Sequence, residues 1–166
     1  MEVGLFALRI VVGLLMSAHG AQNLFGAFGG YGIDGTGGFL ETLGFRPGRA
    51  FAVAAGTSEF AGGLLIAAGF LGPIGPALVL ATMIVAIGTV HLSKGLFATT
   101  DGVELPLLYA IVAVTLIFTG FGEYSVDAVA GLNGAWTPAA SAAVLTAGVL
   151  GGAANLLVRR PARVEA

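Results

Sequence analysis

The sequence contains no cysteine among its 166 residues. This absence excludes structural disulfides, thiolate metal sites and thiol redox chemistry carried by the chain itself. Charge is also scarce, since only 10% of the residues are Asp, Glu, Lys or Arg, whereas soluble domains have about a quarter. The net charge of -2 provides no basic surface for nucleic acid, so we expect no nucleic-acid partner.

Apolar residues dominate instead. They make up 57% of the chain, and 28 residues are glycine. High hydrophobicity with little charge indicates that the solvent is a lipid bilayer. Glycine lets helix backbones approach closely inside a membrane. The sequence therefore predicts an all-α, polytopic membrane helix bundle.

Five apolar runs are long enough to cross a bilayer, which takes about 20 residues. The predicted spans are residues 3–25, 50–71, 74–97, 105–121 and 138–158. The first run is longer than a signal peptide core and includes Arg9, so we expect it to be retained. We divide the chain into a four-helix core, residues 1–127, and a C-terminal part, residues 128–166. The latter has a loop, the fifth span and a basic tail.

A glycine-rich segment follows the first span. Residues 27–38 are full of turn-forming glycines and predict a loop. No strand precedes their Gly-X-Gly pattern, so the context of a dinucleotide fingerprint is missing. Residues 38–45 (GFLETLGF) have polar Glu41 and Thr42 between the apolar Phe39, Leu40, Leu43 and Phe45, and predict a short interfacial helix.

Ionisable side chains inside the spans are the candidate functional residues. They are Arg9, His19, Glu59 and His91. A charge in mid-membrane costs roughly 2.5 to 3.5 kcal/mol on insertion scales, so it normally faces other helices or a wet cavity. We expect Arg9 to pair with Glu59, and His19 to lie beside His91 at a similar depth. Together they would line one vertical polar pocket.

Other polar residues in the spans have smaller predicted roles. Gln22 and Asn23 share a helix face with His19 and suit contacts between helices. Gln22 is included in the predicted pocket. Lys94 lies at the end of the third span and is expected to anchor it at the interface.

The polar residues allow several interpretations. The Arg9–Glu59 pair and the histidines could simply fix helix register. A quinone head group would use an apolar slot, hydrogen-bond donors and a nearby proton source. His19 and His91 could also ligate one b-type haem, but the loops offer no further ligands, so we expect no haem. Proton or ion translocation along Arg9, Glu59 and His91 is a further alternative. We expect no metal site and no covalently bound cofactor.

Several ordered segments resemble the DoxX family of small bacterial membrane proteins. They are LRI at 8–10, AHGAQNLFG at 18–26, SEFAGGLL at 58–65, VHLSKGLF at 90–97, ELPLLY at 104–109 and GEYSVD at 122–127. The resemblance covers residues 3 to 127 and implies a four-helix core associated with membrane redox systems. Related proteins are subunits of thiosulfate:quinone oxidoreductase, and others join complexes that answer oxidative stress.

The resemblance implies an integral subunit of a membrane oxidoreductase or of a respiratory or oxidative-stress complex. The intramembrane pocket would then bind quinone. The alternative is a structural or assembly subunit whose buried polar residues lock the bundle. Expected partners are the bilayer, other proteins of a membrane complex and a second copy of the chain. The sequence departs from the family at Asn23, where a lysine is usual, and in the fifth span and arginine-rich tail beyond residue 137.

The distribution of basic residues predicts the orientation. With five spans, Arg46, Arg49, Lys94 and the C-terminal arginines fall on one side, and Glu2, Glu123 and Asp127 on the other. Cytoplasmic loops carry the excess of Lys and Arg. We therefore expect a bacterial inner-membrane protein with its N-terminus outside and its C-terminus in the cytoplasm.

Topology reporters test this orientation. Alkaline phosphatase fused to the N-terminus should be active, and green fluorescent protein fused to the C-terminus should fluoresce, because the former folds outside and the latter inside. Termini that report the same side would show that the number of spans is not five.

Overall fold

The computed structural model of the protein describes residues 1–160, and in this range the fold is entirely helical. The prediction of an all-α membrane bundle is thus confirmed. The basic tail beyond residue 160, with Arg163, lies outside the described residues. The helices are α1 (Glu2–Phe25), α2 (Gly32–Thr42), α3 (Gly48–Ala68), α4 (Ile74–Ala86), α5 (Glu104–Thr119), α6 (Val126–Val129) and α7 (Pro138–Val158).

Helix α4 continues beyond its regular part. A π-helical turn, Ile87–His91, and a 3-10 turn, Leu92–Lys94, extend it. By length and composition, α1, α3, α7 and the extended α4 can each cross a membrane. Helix α5 is apolar but has only 16 residues. All five helices begin and end within three residues of the predicted spans; that α5 crosses the bilayer stays a prediction.

The glycine-rich segment forms more helix than its composition predicts. Helix α2 begins at Gly32 rather than Gly38, so the predicted loop at 27–38 is wrong over its second half. Helix α2 lies against the start of α3. A Cβ added at Gly37 would come within 3.0 Å of the Arg49 backbone nitrogen. Close packing on α3 thus offsets the weak helix propensity of glycine.

Helices α1 and α3 are in direct backbone contact through glycines of both helices. A Cβ on Gly20 would lie 2.3 Å from the backbone nitrogen of Phe60. A Cβ on Gly63 would lie 2.5 Å from the carbonyl oxygen of Gly13. Neither position has room for a side chain, so glycine fixes the distance between these two helices.

Helix α4 is the centre of the other half of the bundle. It packs against α3, α5 and α7, and its buried Val79, Leu80 and Met83 belong to the main hydrophobic core. Helix α7 lies on α4 through small residues. A Cβ at Gly148 would be 2.9 Å from the Ala77 carbonyl oxygen, and one at Gly152 would be 3.0 Å from that of Ala81.

The two termini of the described chain lie at opposite ends of the bundle. At one end, the Glu2 carboxylate accepts a hydrogen bond from the backbone N–H of Glu123, 2.8 Å away. At the other, the backbone N–H of Arg160 donates to the carbonyl oxygen of Gly44 at 2.8 Å. We call the latter the basic end; it carries Arg46, Arg49, Lys94, Arg159 and Arg160. Which side of the membrane it faces stays a prediction.

The glycine contact between α1 and α3 can be tested by single methyl groups. Gly20→Ala and Gly63→Ala should each lower the free energy of unfolding in detergent by about 1 to 3 kcal/mol, because the added carbon forces the helices apart. Thermal unfolding followed by circular dichroism measures the loss. Gly4→Ala is the matched control, since no atom lies within 4 Å of its added Cβ. Equal stability of all three variants would show that the backbones are not in contact.

Candidate functional site: an intramembrane cavity near the basic end

A cavity of about 660 Å³ lies between α1, α2, α3 and α4, with one residue of α7 in its wall. Ligand pockets typically have volumes of about 300 to 1,000 Å³, apolar walls and a few polar groups. This cavity fits that description. Its polar side chains are those of His19, Asn23, Tyr31, Thr36, Ser58, Glu59, Thr82, Thr89, His91 and Asn155.

Glu59 is the buried ionisable group of this wall, with only 6% of its surface exposed. Its carboxylate accepts a hydrogen bond from the Asn23 side chain, with Nδ2 and Oε2 2.7 Å apart. The Asn23 oxygen in turn accepts from the Thr36 hydroxyl at 3.4 Å. Three helices, α3, α1 and α2, are therefore joined by one chain of side chains. A carboxylate can accept about four hydrogen bonds, so further acceptor capacity remains at the cavity wall.

The two histidines reach the same cavity from α1 and from the extension of α4. His19 is exposed and lies one turn before Asn23, with its Nδ1 3.3 Å from the side-chain oxygen of Gln22. His91 is half-buried, and its Nδ1 lies 2.6 Å from the carbonyl oxygen of Asp101. Because a carbonyl oxygen only accepts, the His91 Nδ1 carries the proton of this bond. Its Nε2 is then the nitrogen available to a ligand.

A π-helical turn positions His91. The turn from Ile87 to His91 is wider than an α-helical turn, and such turns are frequent at functional sites. The predicted depth of His91 assumed an unbroken α-helix. The wider turn changes which face the residues after Ala86 present, so periodicity predicts the depth of this side chain but not the direction in which it points.

Arg9 is not part of the cavity, and its predicted pairing with Glu59 is wrong. Its guanidinium is fully buried and donates to the carbonyl oxygens of Ile66 at 3.3 Å, Ala67 at 3.4 Å and Tyr124. Within residues 1–160, no carboxylate lies within 4.0 Å of it. The continuous vertical pocket is therefore wrong as well.

The environment of Arg9 explains why it has no carboxylate partner. Ile66 and Ala67 belong to the last turn of α3, where the carbonyl groups carry the negative end of the helix dipole. The rings of Phe6 and Phe121 lie beside the guanidinium, with centroids 5.7 and 5.5 Å from its central carbon. Helix carbonyls and aromatic faces together replace the expected carboxylate.

Two further predicted residues lie next to the cavity but not in its wall. Gln22 contacts His19 and donates from Nε2 to the carbonyl oxygen of Phe28 at 3.3 Å. Lys94 is exposed at the basic end, where its ammonium lies 3.3 Å from the Asp101 carboxylate. Its role as an interfacial anchor stays a prediction.

Three polar residues have a larger part in the structure than the sequence predicted. Asn23 was expected to join helices, yet it also holds Glu59. Asn155 is the one residue of α7 in the cavity wall. The sequence feature that could have indicated it is that it is a lone amide side chain in an apolar span. Asp127, at the opposite end of the bundle, is 1% exposed and accepts hydrogen bonds from Leu71, Gly72 and Trp136.

Comparison with protein families places this arrangement in context. The sequence model of the DoxX family matches residues 4–92, more than half of the chain. The chain belongs to the DoxX family. The matched segment contains His19, Asn23, Glu59 and His91 and ends before α5 and α7. The resemblance of residues 93–127 thus stays a prediction. No curated protein and no solved structure gives a significant match.

A double-mutant cycle tests the revised partner of Glu59. Asn23→Ala and Glu59→Ala should each destabilise the protein, and the double variant should lose less than the sum, with a coupling of about 0.6 to 1.7 kcal/mol typical of hydrogen bonds between membrane helices. Unfolding by denaturant in mixed micelles gives the free energies. The control cycle, Arg9→Leu with Glu59→Ala, should be additive to within about 0.5 kcal/mol because the two groups do not touch. Coupling between Arg9 and Glu59, together with additivity between Asn23 and Glu59, would support the predicted ion pair instead.

Proposed function

We propose that this DoxX-family protein is an integral subunit of a membrane oxidoreductase or of a respiratory or oxidative-stress complex, and that its cavity binds the head group of a quinone. The observation that carries the proposal is the cavity itself. It combines apolar walls and a suitable volume with polar groups from several helices, including a buried carboxylate and two imidazoles.

The chemistry of a quinone matches this wall. The flat ring needs apolar contacts, which Phe39, Phe45 and Phe51 provide. The two carbonyl oxygens need hydrogen-bond donors, and an imidazole can donate to one of them. Reduction adds two electrons and two protons and gives a hydroquinone. Glu59 and the imidazoles are groups able to hold protons beside the ring, whereas the electrons would come from a redox centre of a partner protein.

We propose that the protein lies in the inner membrane of a bacterium with the cavity near the cytoplasmic face. The cavity lies in the half of the bundle nearest the basic end, and the excess of Lys and Arg at that end supports a cytoplasmic position for it. A quinone dissolved in the bilayer would reach it laterally, and protons would come from the cytoplasmic side. Exposed Tyr31 and Phe39 lie in the cavity wall and suit this interfacial depth.

A structural or assembly role is the second candidate, and a specific observation favours it. The hydrogen bonds from Thr36 to Asn23 and from Asn23 to Glu59 join α1, α2 and α3. Such a network could be kept only because it sets the arrangement of helices, with no ligand involved.

Binding of decylubiquinone to the protein in nanodiscs tests the cavity. The wild type should bind it, and Ala54→Leu should weaken binding at least about tenfold, because the larger side chain fills part of the cavity. Ala54 is an exposed residue of the wall, so the change does not disturb the core. Ala154→Leu on the exposed face of α7 is the control and should bind normally. Equal binding by all three proteins would contradict a site in this cavity.

Glu59→Gln distinguishes the two candidate functions. Glutamine keeps an oxygen for Asn23 but cannot release a proton, so it leaves the network of helices in place. Loss of quinone reduction by an intact complex purified from native membranes would support the redox role. Loss of the complex itself, or full activity with the variant, would favour the structural role.

A further inference from the structure

Helix α7 lies outside the segment matched by the family, yet it contributes Asn155 to the cavity wall. We infer that Asn155 is a specificity residue that binds a second carbonyl group of the ligand, so that α7 is part of the binding site. This inference rests on the proposed quinone function and extends it to a residue outside the segment that the family model matches.

The side chain of Asn155 has hydrogen-bonding capacity to spare. Its Nδ2 donates to the carbonyl oxygen of Gly151, 2.8 Å away in the preceding turn. A primary amide carries two N–H donors and one carbonyl oxygen with two lone pairs. The intrahelical bond therefore uses one donor, and one N–H and the oxygen remain for a group in the cavity.

Contacts on both sides of Asn155 hold its position. One turn earlier, Gly152 lies directly on α4, and the next residue, Leu156, contacts Gly88. Beyond it, Nε of Arg159 donates to the carbonyl oxygen of Leu43 at 2.5 Å, which ties the end of α7 to the segment after α2. A side chain on a fixed helix can bind a ligand group with little loss of entropy.

The direction from which Asn155 reaches the cavity matches a ligand with two carbonyl groups. Glu59 and Asn23 belong to α3 and α1, whereas Asn155 belongs to α7, which packs mainly on α4. Polar groups therefore enter the wall from the α1–α3 side and from the α4–α7 side. The carbonyl groups of a para-quinone point in opposite directions across the ring, so each can face one of these sides.

The test compares two ligands in two variants. Menadione has two carbonyl groups, and a methyltetralone of the same ring size has one. In nanodiscs, the wild type should prefer menadione. Asn155→Leu keeps the branched shape and the number of heavy atoms but removes the hydrogen-bonding groups. It should weaken menadione binding about three- to tenfold, the value of one hydrogen bond, and methyltetralone binding much less. Thr146→Val is the matched control: Thr146 makes the same kind of bond to Ala142 within α7 but does not line the cavity.

The outcomes separate this inference from the function on which it rests. If Asn155→Leu weakens both ligands equally, or neither, or if Thr146→Val gives the same loss of preference, the specificity role is overturned while the quinone site stands. If the wild type binds no menadione and no decylubiquinone, the proposed function fails first and the role of Asn155 fails with it.

Discussion

The backbone contact between α1 and α3 is the constraint on which the site depends. Gly13 and Gly20 bring α1 against α3 with no side chain between them. At that distance, short polar side chains can meet directly, as Asn23 and Glu59 do. With larger residues at these positions, the buried carboxylate would lose its partner, and burying a polar group without a hydrogen bond is costly. Close packing is thus what permits an ionisable group at this depth.

The two buried ionic side chains near the opposite end bind mainly to backbone groups instead. Arg9 donates to the last carbonyl groups of α3, and Asp127 accepts from the N–H groups of Leu71 and Gly72 in the turn that follows. The Arg9 cation on the carbonyl groups and the Asp127 anion on the amide groups therefore both stabilise the turn between α3 and α4. Leu71 has a φ of 60°, unfavourable for a residue with a side chain, and the adjoining hydrogen bonds compensate for that strain.

The sequence allowed the helices and part of the site to be predicted, and the limits have physical causes. Long apolar runs determine the spans. Polar side chains inside a span need polar partners or a hydrated cavity, so His19, Glu59 and His91 could be expected around one cavity. The partners of Arg9 could not be predicted because they are backbone carbonyl groups. Every residue has such a group, so no sequence pattern identifies the ones that bind Arg9. The early start of α2 depends on packing against α3, which overrides the turn preference of glycine.

The length of α5 has a consequence for the surrounding lipid. A helix of 16 residues is about 24 Å long, whereas the hydrocarbon core of a bilayer is about 30 Å thick. As a span, α5 would create a hydrophobic mismatch on one flank of the bundle, where the lipid must thin or a longer neighbouring helix must take its place. The flank formed by α5 is therefore where acyl chains would be most strained, and where replacing them with a protein surface would relieve the most strain.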